Sequence, residues 1–169
     1  MKMHAKRKCW TVFAVLCAVT GPAAGSGFGL ATQSGSGTGN AFAGGAAVAD
    51  DASVAWSNPA GMTALPMGKH LAGALHLLKP SFQFQNNGST GAFAGAGTGD
   101  GGNGGDWALL PNGFFTMDIS SNLRFGIALN SPFGLSTDYE SGWRGQLTGL
   151  KSAIKSVNIN PSLASVVSG

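Results

Sequence analysis

The sequence predicts an all-β protein built as a transmembrane antiparallel β-barrel. Only 10% of the 169 residues are charged, which is unusual for a soluble domain. Several segments alternate apolar and polar side chains with the two-residue period of a strand, and no apolar run is long enough for a membrane-spanning helix. A barrel in a bilayer explains these observations, because the outward half of each strand contacts lipid and needs no charge.

Residues 1–26 have the layout of a secretory signal peptide. Four positive charges within Met1–Lys8 precede the apolar run Cys9–Val19, and small residues follow. This run is too short to cross a bilayer as a helix. Without the signal peptide the chain keeps six basic and seven acidic residues and no cysteine. That charge balance argues against nucleic-acid binding. The absence of cysteine leaves no disulfide or cysteine metal site.

Residues 28–64 are rich in glycine and alanine, which allow backbone to pack closely against backbone. One of the adjacent carboxylates, Asp50 or Asp51, is expected to cap a short helix over residues 52–57. Pro59 disfavours helical geometry in the residue before it, so this helix should end there. An ordinary surface loop with a capped turn would show the same pattern.

The remainder of the chain predicts four strands. The first, Met67–Gln85, changes phase near Leu78–Pro80, which predicts a β-bulge at that point. Trp107–Asp118 and Leu123–Asn130 alternate more regularly, and a short polar turn joins them. The last strand lies within Lys151–Val167.

The third strand predicts which way its side chains point. Phe125 and Ile127 should face lipid, whereas Arg124 and Asn130 should face the lumen. Lumen-side changes such as Asn130→Asp should therefore be mild. The same alternation also fits a β-sandwich, in which the apolar face would be the core.

The sequence contains few residues that could form a catalytic, metal or nucleotide site. Half of Gly88–Gly105 is glycine, which predicts a flexible loop; its matches to nucleotide-binding and calcium-binding patterns lack the required flanking helix and stacked repeats. His70 and His76 lie about 20 Å apart along a strand and cannot share a metal without a bend. No cofactor, metal site or catalytic constellation is predicted, so the protein is not expected to be an enzyme.

Three segments in order resemble the FadL/TodX family of outer-membrane transporters for hydrophobic compounds. The resemblance begins near Phe28 and runs to the end of the chain. The segments are Gly39–Ala60, which includes Asp50, Asp51, Asn58, Pro59 and Ala60, then Asn130–Leu135, and finally Asn158–Ala164.

This resemblance implies a 14-stranded barrel closed by an N-terminal hatch. Residues 28–64 would be the hatch and residues 67–169 the first strands. The implied function is diffusive uptake of long-chain fatty acids or other hydrophobic small molecules through the outer membrane of a Gram-negative bacterium. Outer-membrane lipid and the barrel-assembly machinery are the other expected partners.

The resemblance also implies roles for individual residues. The hatch would gate the lumen through Asp50, Asp51, Asn58, Pro59 and Ala60. A strand defect near Gly126 would let the ligand leave sideways into the membrane.

Four strands alone leave two open edges, which lipid does not tolerate. The chain is therefore expected to be the N-terminal part of a longer barrel, or to assemble with something else. The alternative is a secreted or periplasmic β-rich binding or adhesion module, with a complete sheet inside these residues.

Overall fold

The computed structural model describes residues 27–88 and 97–166. The predicted signal peptide, residues 1–26, lies outside the described residues, as does the middle of the glycine-rich loop. The described chain contains short helices followed by an antiparallel sheet of four strands. We keep the term hatch for residues 28–64.

The hatch contains three short helical segments. They are α1, Gly35–Gly39, α2, Val54–Ser57, and a 3-10 helix, Pro59–Ala64. As predicted, α2 ends before Pro59, which opens the 3-10 helix after an extended Asn58 with φ of −155°. The predicted aspartate cap is wrong in detail, because Ser53 is the N-cap of α2. The Asp51 carboxylate instead accepts a hydrogen bond from the Ser53 N–H at 2.7 Å, which forms an Asx turn just before the helix.

The predicted four strands form one antiparallel sheet. Its strands, in spatial order, are β1, Lys69–Leu78, β2, Ala108–Asp118, β3, Leu123–Asn130, and β6, Asn158–Ser165. Two further short strands pair with each other inside the β3–β6 connection, namely β4, Ser136–Asp138, and β5, Lys151–Ala153. Because β1 and β6 are the edges of the sheet, the described residues form an open section of wall and not a closed barrel.

The first strand is shorter than predicted and has no bulge. β1 ends at Leu78, and even-numbered residues stay less exposed than their odd-numbered neighbours as far as Phe84. The phase therefore does not change. The predicted bulge was wrong because Phe82 and Phe84 turn inward and pack on other aromatic rings. The ring centres of Phe82 and Phe28 are 6.2 Å apart, and those of Phe84 and Trp143 are 5.4 Å apart.

The exposed and buried faces of the sheet are reversed relative to a soluble protein. Leu71 and Leu75 on the outer face are 83% and 67% exposed, whereas Thr116 and Asn130 on the inner face are 2% and 1% exposed. A β-sandwich would bury the apolar face and leave the polar one in water. The arrangement matches the lipid-facing and lumen-facing sides of a membrane barrel. We call the inner face of β1, β2, β3 and β6 the wall.

The chain passes from the hatch into β1 at the same end of the sheet as the predicted short turn. This turn joins β2 to β3, and Arg124 Nε lies 2.7 Å from Asp118 Oδ1 across it. The other Asp118 oxygen accepts a hydrogen bond from the backbone N–H of Gly68, between the hatch and β1. Outer-membrane barrels place short turns on the periplasmic side, so we expect the connection from the hatch to β1 to lie at the periplasmic end of the sheet.

The lipid-facing assignment predicts a large effect at Ile127. In a full-length barrel, Ile127→Arg should cost about 2–4 kcal/mol of unfolding free energy if it lies near the bilayer midplane. Denaturant unfolding in lipid vesicles measures this cost. Leu147→Arg is the matched control, because Leu147 is an exposed apolar residue outside the strands. Equal costs for the two substitutions would contradict the assignment.

The structure predicts that Asn130→Asp is destabilising, in contrast to the mild effect expected from the sequence. Asn130 is almost fully buried, and its Oδ1 accepts a hydrogen bond from Asn158 Nδ2 at 3.0 Å. A carboxylate at this buried position would lose hydration. The sequence predicted the direction of this side chain but not the depth of its burial.

Candidate functional site

The hatch packs against the wall through two apolar clusters. The first holds Val54, Ala55 and Met62 of the hatch, with the adjoining Leu65, against Ala164 of β6. In the second, Ala52 of the hatch packs on Phe114 and Ala128 of the wall, with Trp56 and Ala72 at its border. Alanine provides three of the four wall residues in these clusters, and Ala52 and Ala55 on the hatch side, so the backbone around α2 lies close to the strands. The predicted role for small residues in the hatch agrees with this packing.

Gly126 is a point of close approach between hatch and wall. A Cβ built at this position would overlap Met62 Sδ and lie 3.0 Å from Ala55 Cβ. The strand is regular there, since Gly126 pairs with Thr116 on one side and Ser162 on the other. The expected strand defect at Gly126 is therefore not seen. The glycine makes room for the hatch.

Asn58, Pro59 and Ala60 fold the hatch onto itself. Asn58 Nδ2 donates to the carbonyl of Ala46 at 2.9 Å, which joins the two halves of the hatch. The Asn58 carbonyl accepts from the N–H of Gly61 at 2.8 Å as the 3-10 helix begins. Ala60 is exposed. These contacts would set the internal shape of the hatch, and a role for the three residues in gating stays a prediction.

The two aspartates have different surroundings. Asp50 is exposed, whereas Asp51 is partly buried beside Ser53 and Ser36. Desolvation raises the pKa of Asp51, but hydrogen bonds from Ser53 and Ser36 outweigh it, so the net pKa lies below 3.8. The charged Asp51 carboxylate therefore stabilises the folded hatch.

The lowered pKa of Asp51 predicts an acid-sensitive hatch. Its contribution to stability is complete above the ordinary carboxyl pKa of 3.8 and is lost as the pH falls through the lowered folded value. Thermal release of the hatch in the full-length protein, followed by Trp56 fluorescence at about pH 6 and about pH 3, measures it. Asp51→Asn should reduce the fall in midpoint, whereas Asp50→Asn should not. An equal fall in parent and Asp51→Asn would contradict the prediction.

A gap in the wall, missed in the sequence, lies beside the first residues of the hatch. The β2–β3 ladder stops at the pair of Gly113 and Leu129, so residues 108–112 of β2 have no partner on β3. A cavity of about 570 Å³ occupies this place between β2 and the β3–β6 connection. It is lined largely by apolar and small residues, with Asp106, Lys151 and Lys155 as its charged members. Pro111 and Pro132 were the available signal, since proline has no N–H to continue a ladder.

The first segment of the hatch lies along the inner side of this gap. The N–H of Leu30 donates to the Pro132 carbonyl at 2.9 Å, and Gln33 Nε2 donates to the Ser131 carbonyl at 3.2 Å. Asn112 Nδ2 on β2 donates to the Thr32 carbonyl at 2.9 Å. The hatch is thus bonded to both margins of the gap.

The described part of the glycine-rich loop is packed, which differs from the flexible loop predicted. Trp143 is buried, stacks on Tyr139 with ring centres 4.4 Å apart, and lies under Gly101, whose added Cβ would be 2.8 Å from Trp143 Cβ. Gly104 approaches Tyr139 equally closely. These glycines allow the β1–β2 connection to lie on the aromatic rings of the β3–β6 connection.

Comparisons with known proteins agree with this arrangement. The family described as Outer membrane protein transport protein (OMPP1/FadL/TodX) matches residues 16–168. The chain belongs to this family. The 47 kDa outer membrane protein of Pasteurella multocida is 30% identical over 155 residues, covering 87% of this chain and 32% of the relative. The long-chain fatty acid transport protein of Escherichia coli O6:H1 is 30% identical over 138 residues, covering 81% of this chain and 30% of the relative.

A solved structure shows the same fold. The crystal structure of a Pseudomonas aeruginosa FadL homologue superimposes with a TM-score of 0.62 at 28% identity, covering 85% of this chain and 35% of that one. The protein is therefore an outer-membrane protein with an all-β fold, in a family of transporters, as the sequence predicted. The chain spans about a third of the length of the curated relatives it matches.

No helix within residues 27–88 and 97–166 is long and apolar enough to cross a membrane. No group of three or more His, Cys, Asp or Glu side chains there is arranged to hold a metal ion.

Proposed function

We propose that the full-length FadL-family protein admits hydrophobic small molecules, long-chain fatty acids among them, by diffusion through a barrel that this hatch closes. The observation that supports it most is the hatch packed on the wall and bonded across the gap beside β2. The name of the Escherichia coli relative supports the fatty acid as substrate class.

The proposed route ends at the gap and not at Gly126. An apolar ligand gains about 0.8 kcal/mol for each buried CH₂, so it can enter an apolar lumen without an energy source. When residues 29–34 leave the margins of the gap, the ligand passes sideways between β2 and the β3–β6 connection. Leu109 and Val157 line this opening and are largely exposed, so the path continues into lipid.

The test is uptake by outer-membrane vesicles that contain the full-length protein and no added energy source. We expect a radiolabelled long-chain fatty acid to enter faster than in vesicles without the protein, and a polar solute of similar mass to enter no faster. The heat-dependent shift in gel mobility verifies that the protein in the vesicles is a folded barrel. Fatty-acid entry equal to that of protein-free vesicles would contradict the proposal.

A further inference from the structure

Two hydroxyl groups of the wall are buried under the hatch without a hydrogen-bond partner in the described part of the chain. Thr116 Oγ1 on β2 and Ser162 Oγ on β6 each have less than 1 Å² of accessible surface, and neither has a partner among the described residues. Both residues pair with Gly126, one from each side. The hydroxyls therefore flank the place where Met62 and Ala55 rest on β3. With so little accessible surface, both oxygens are shielded from water when the hatch rests on the wall.

The same condition recurs along the contact between hatch and wall. Thr32 Oγ1 and Gln33 Oε1 in the hatch, and Asn130 Nδ2 in the wall, are also buried without a partner among the described residues. An unpaired buried polar atom raises the free energy of the form that buries it, compared with a form in which water reaches it. This contact therefore combines apolar packing, which favours closure, with buried unpaired polar atoms, whose loss of hydration opposes closure.

We propose that Thr116 and Ser162 are positioning residues that set how readily the hatch opens. This inference rests on the proposed function. When Met62 and Ala55 lie on Gly126 the two hydroxyls are dry, and when the hatch moves away water hydrates them. Opening thus recovers hydration that closure removes, so the hatch is held less tightly than its apolar contacts alone would hold it.

The proposal predicts that removing the hydroxyls locks the hatch. In the full-length protein, Thr116→Val with Ser162→Ala should slow amide hydrogen exchange in hatch residues 54–64. We expect about tenfold slowing for each hydroxyl, which corresponds to about 1.4 kcal/mol apiece. Thr116→Ser keeps the hydroxyl and should exchange like the parent. Ser165→Ala, an exposed position on β6, should also leave the rate unchanged.

Exchange and uptake together separate this inference from the proposed function. Slower hatch exchange with slower fatty-acid uptake supports both. Slower exchange with unchanged uptake supports the hydroxyl effect and overturns the role of the hatch as a gate. Exchange at the parent rate in the double variant, with the barrel folded, overturns the inference whatever the uptake.

Discussion

Replacing Gly126 by valine is expected to displace the hatch and leave the strand intact. Valine suits a strand, but its side chain would occupy the place of Met62 Sδ and press on Ala55 Cβ, 3.0 Å from the new Cβ. Met62 is flexible and could bend away; Ala55 is fixed to the backbone of α2, so the helix itself must shift. Overpacking of this kind costs about 1–3 kcal/mol. This cost falls on the closed form alone.

The measurement is entry of a large polar solute into vesicles that carry the full-length protein, with protease cleavage of the hatch as a second reading. Both should increase for Gly126→Val. Gly113→Val is the matched control, because a Cβ at Gly113 on β2 meets nothing within 4 Å. Adding Met62→Ala makes space and should restore part of the closure. A Gly126→Val protein as closed as Gly113→Val would show that the hatch does not rest on β3.

Loosening the turn of the hatch is the second large effect expected. Asn58→Ala with Pro59→Ala removes the hydrogen bond to the Ala46 carbonyl and frees the backbone angle that starts the 3-10 helix. The lost hydrogen bond is worth about 0.5–1.5 kcal/mol and the lost proline about 0.4–1 kcal/mol. Since neither residue belongs to a strand, barrel insertion should stay normal while uptake of a hydrophobic substrate changes.

Uptake is compared in cells that carry matched amounts of folded, heat-modifiable protein. Pro161→Ala on the outer face of β6 is the control for loss of a proline, and uptake should equal that of the parent. Unchanged uptake in the double variant would mean that the turn is merely structural. Lost insertion would mean that the turn serves assembly, and the gating role would then have no support.

The strands and their faces could be predicted because alternation is a local property. Leu123–Asn130 was predicted with the bounds that the structure shows. The phase of β1 was misjudged at Leu78 because the lumen is not uniformly polar. Rings from distant connections receive Phe82 and Phe84 on the inner side, and nothing near them in sequence shows this.

The site was predicted less well because its contacts join distant residues. Gly126 was interpreted as a strand defect, although its partner Met62 lies far earlier in the chain. The hatch segment itself was recognisable from its small residues and its Asn-Pro-Ala turn. How it binds the wall was not, since Leu30 and Gln33 contact carbonyls about a hundred residues away.

The central claim is that the hatch must move for a hydrophobic molecule to pass, and a reversible cross-link tests it most directly. A Cβ at Gly35 on α1 would lie 3.2 Å from Ala74 Cβ on β1 and meet nothing else within 4 Å. This separation is a few tenths of an ångström below the usual disulfide range of about 3.5–4.5 Å. A shift of α1 away from β1 by that small amount lets Gly35→Cys with Ala74→Cys join hatch to wall.

Fatty-acid uptake is measured in the oxidised protein and again after reduction, with each single cysteine variant as control. The account predicts that oxidation stops uptake in the double variant, that reduction restores it, and that neither treatment affects the single variants. Equal uptake by the cross-linked and reduced forms would contradict the account.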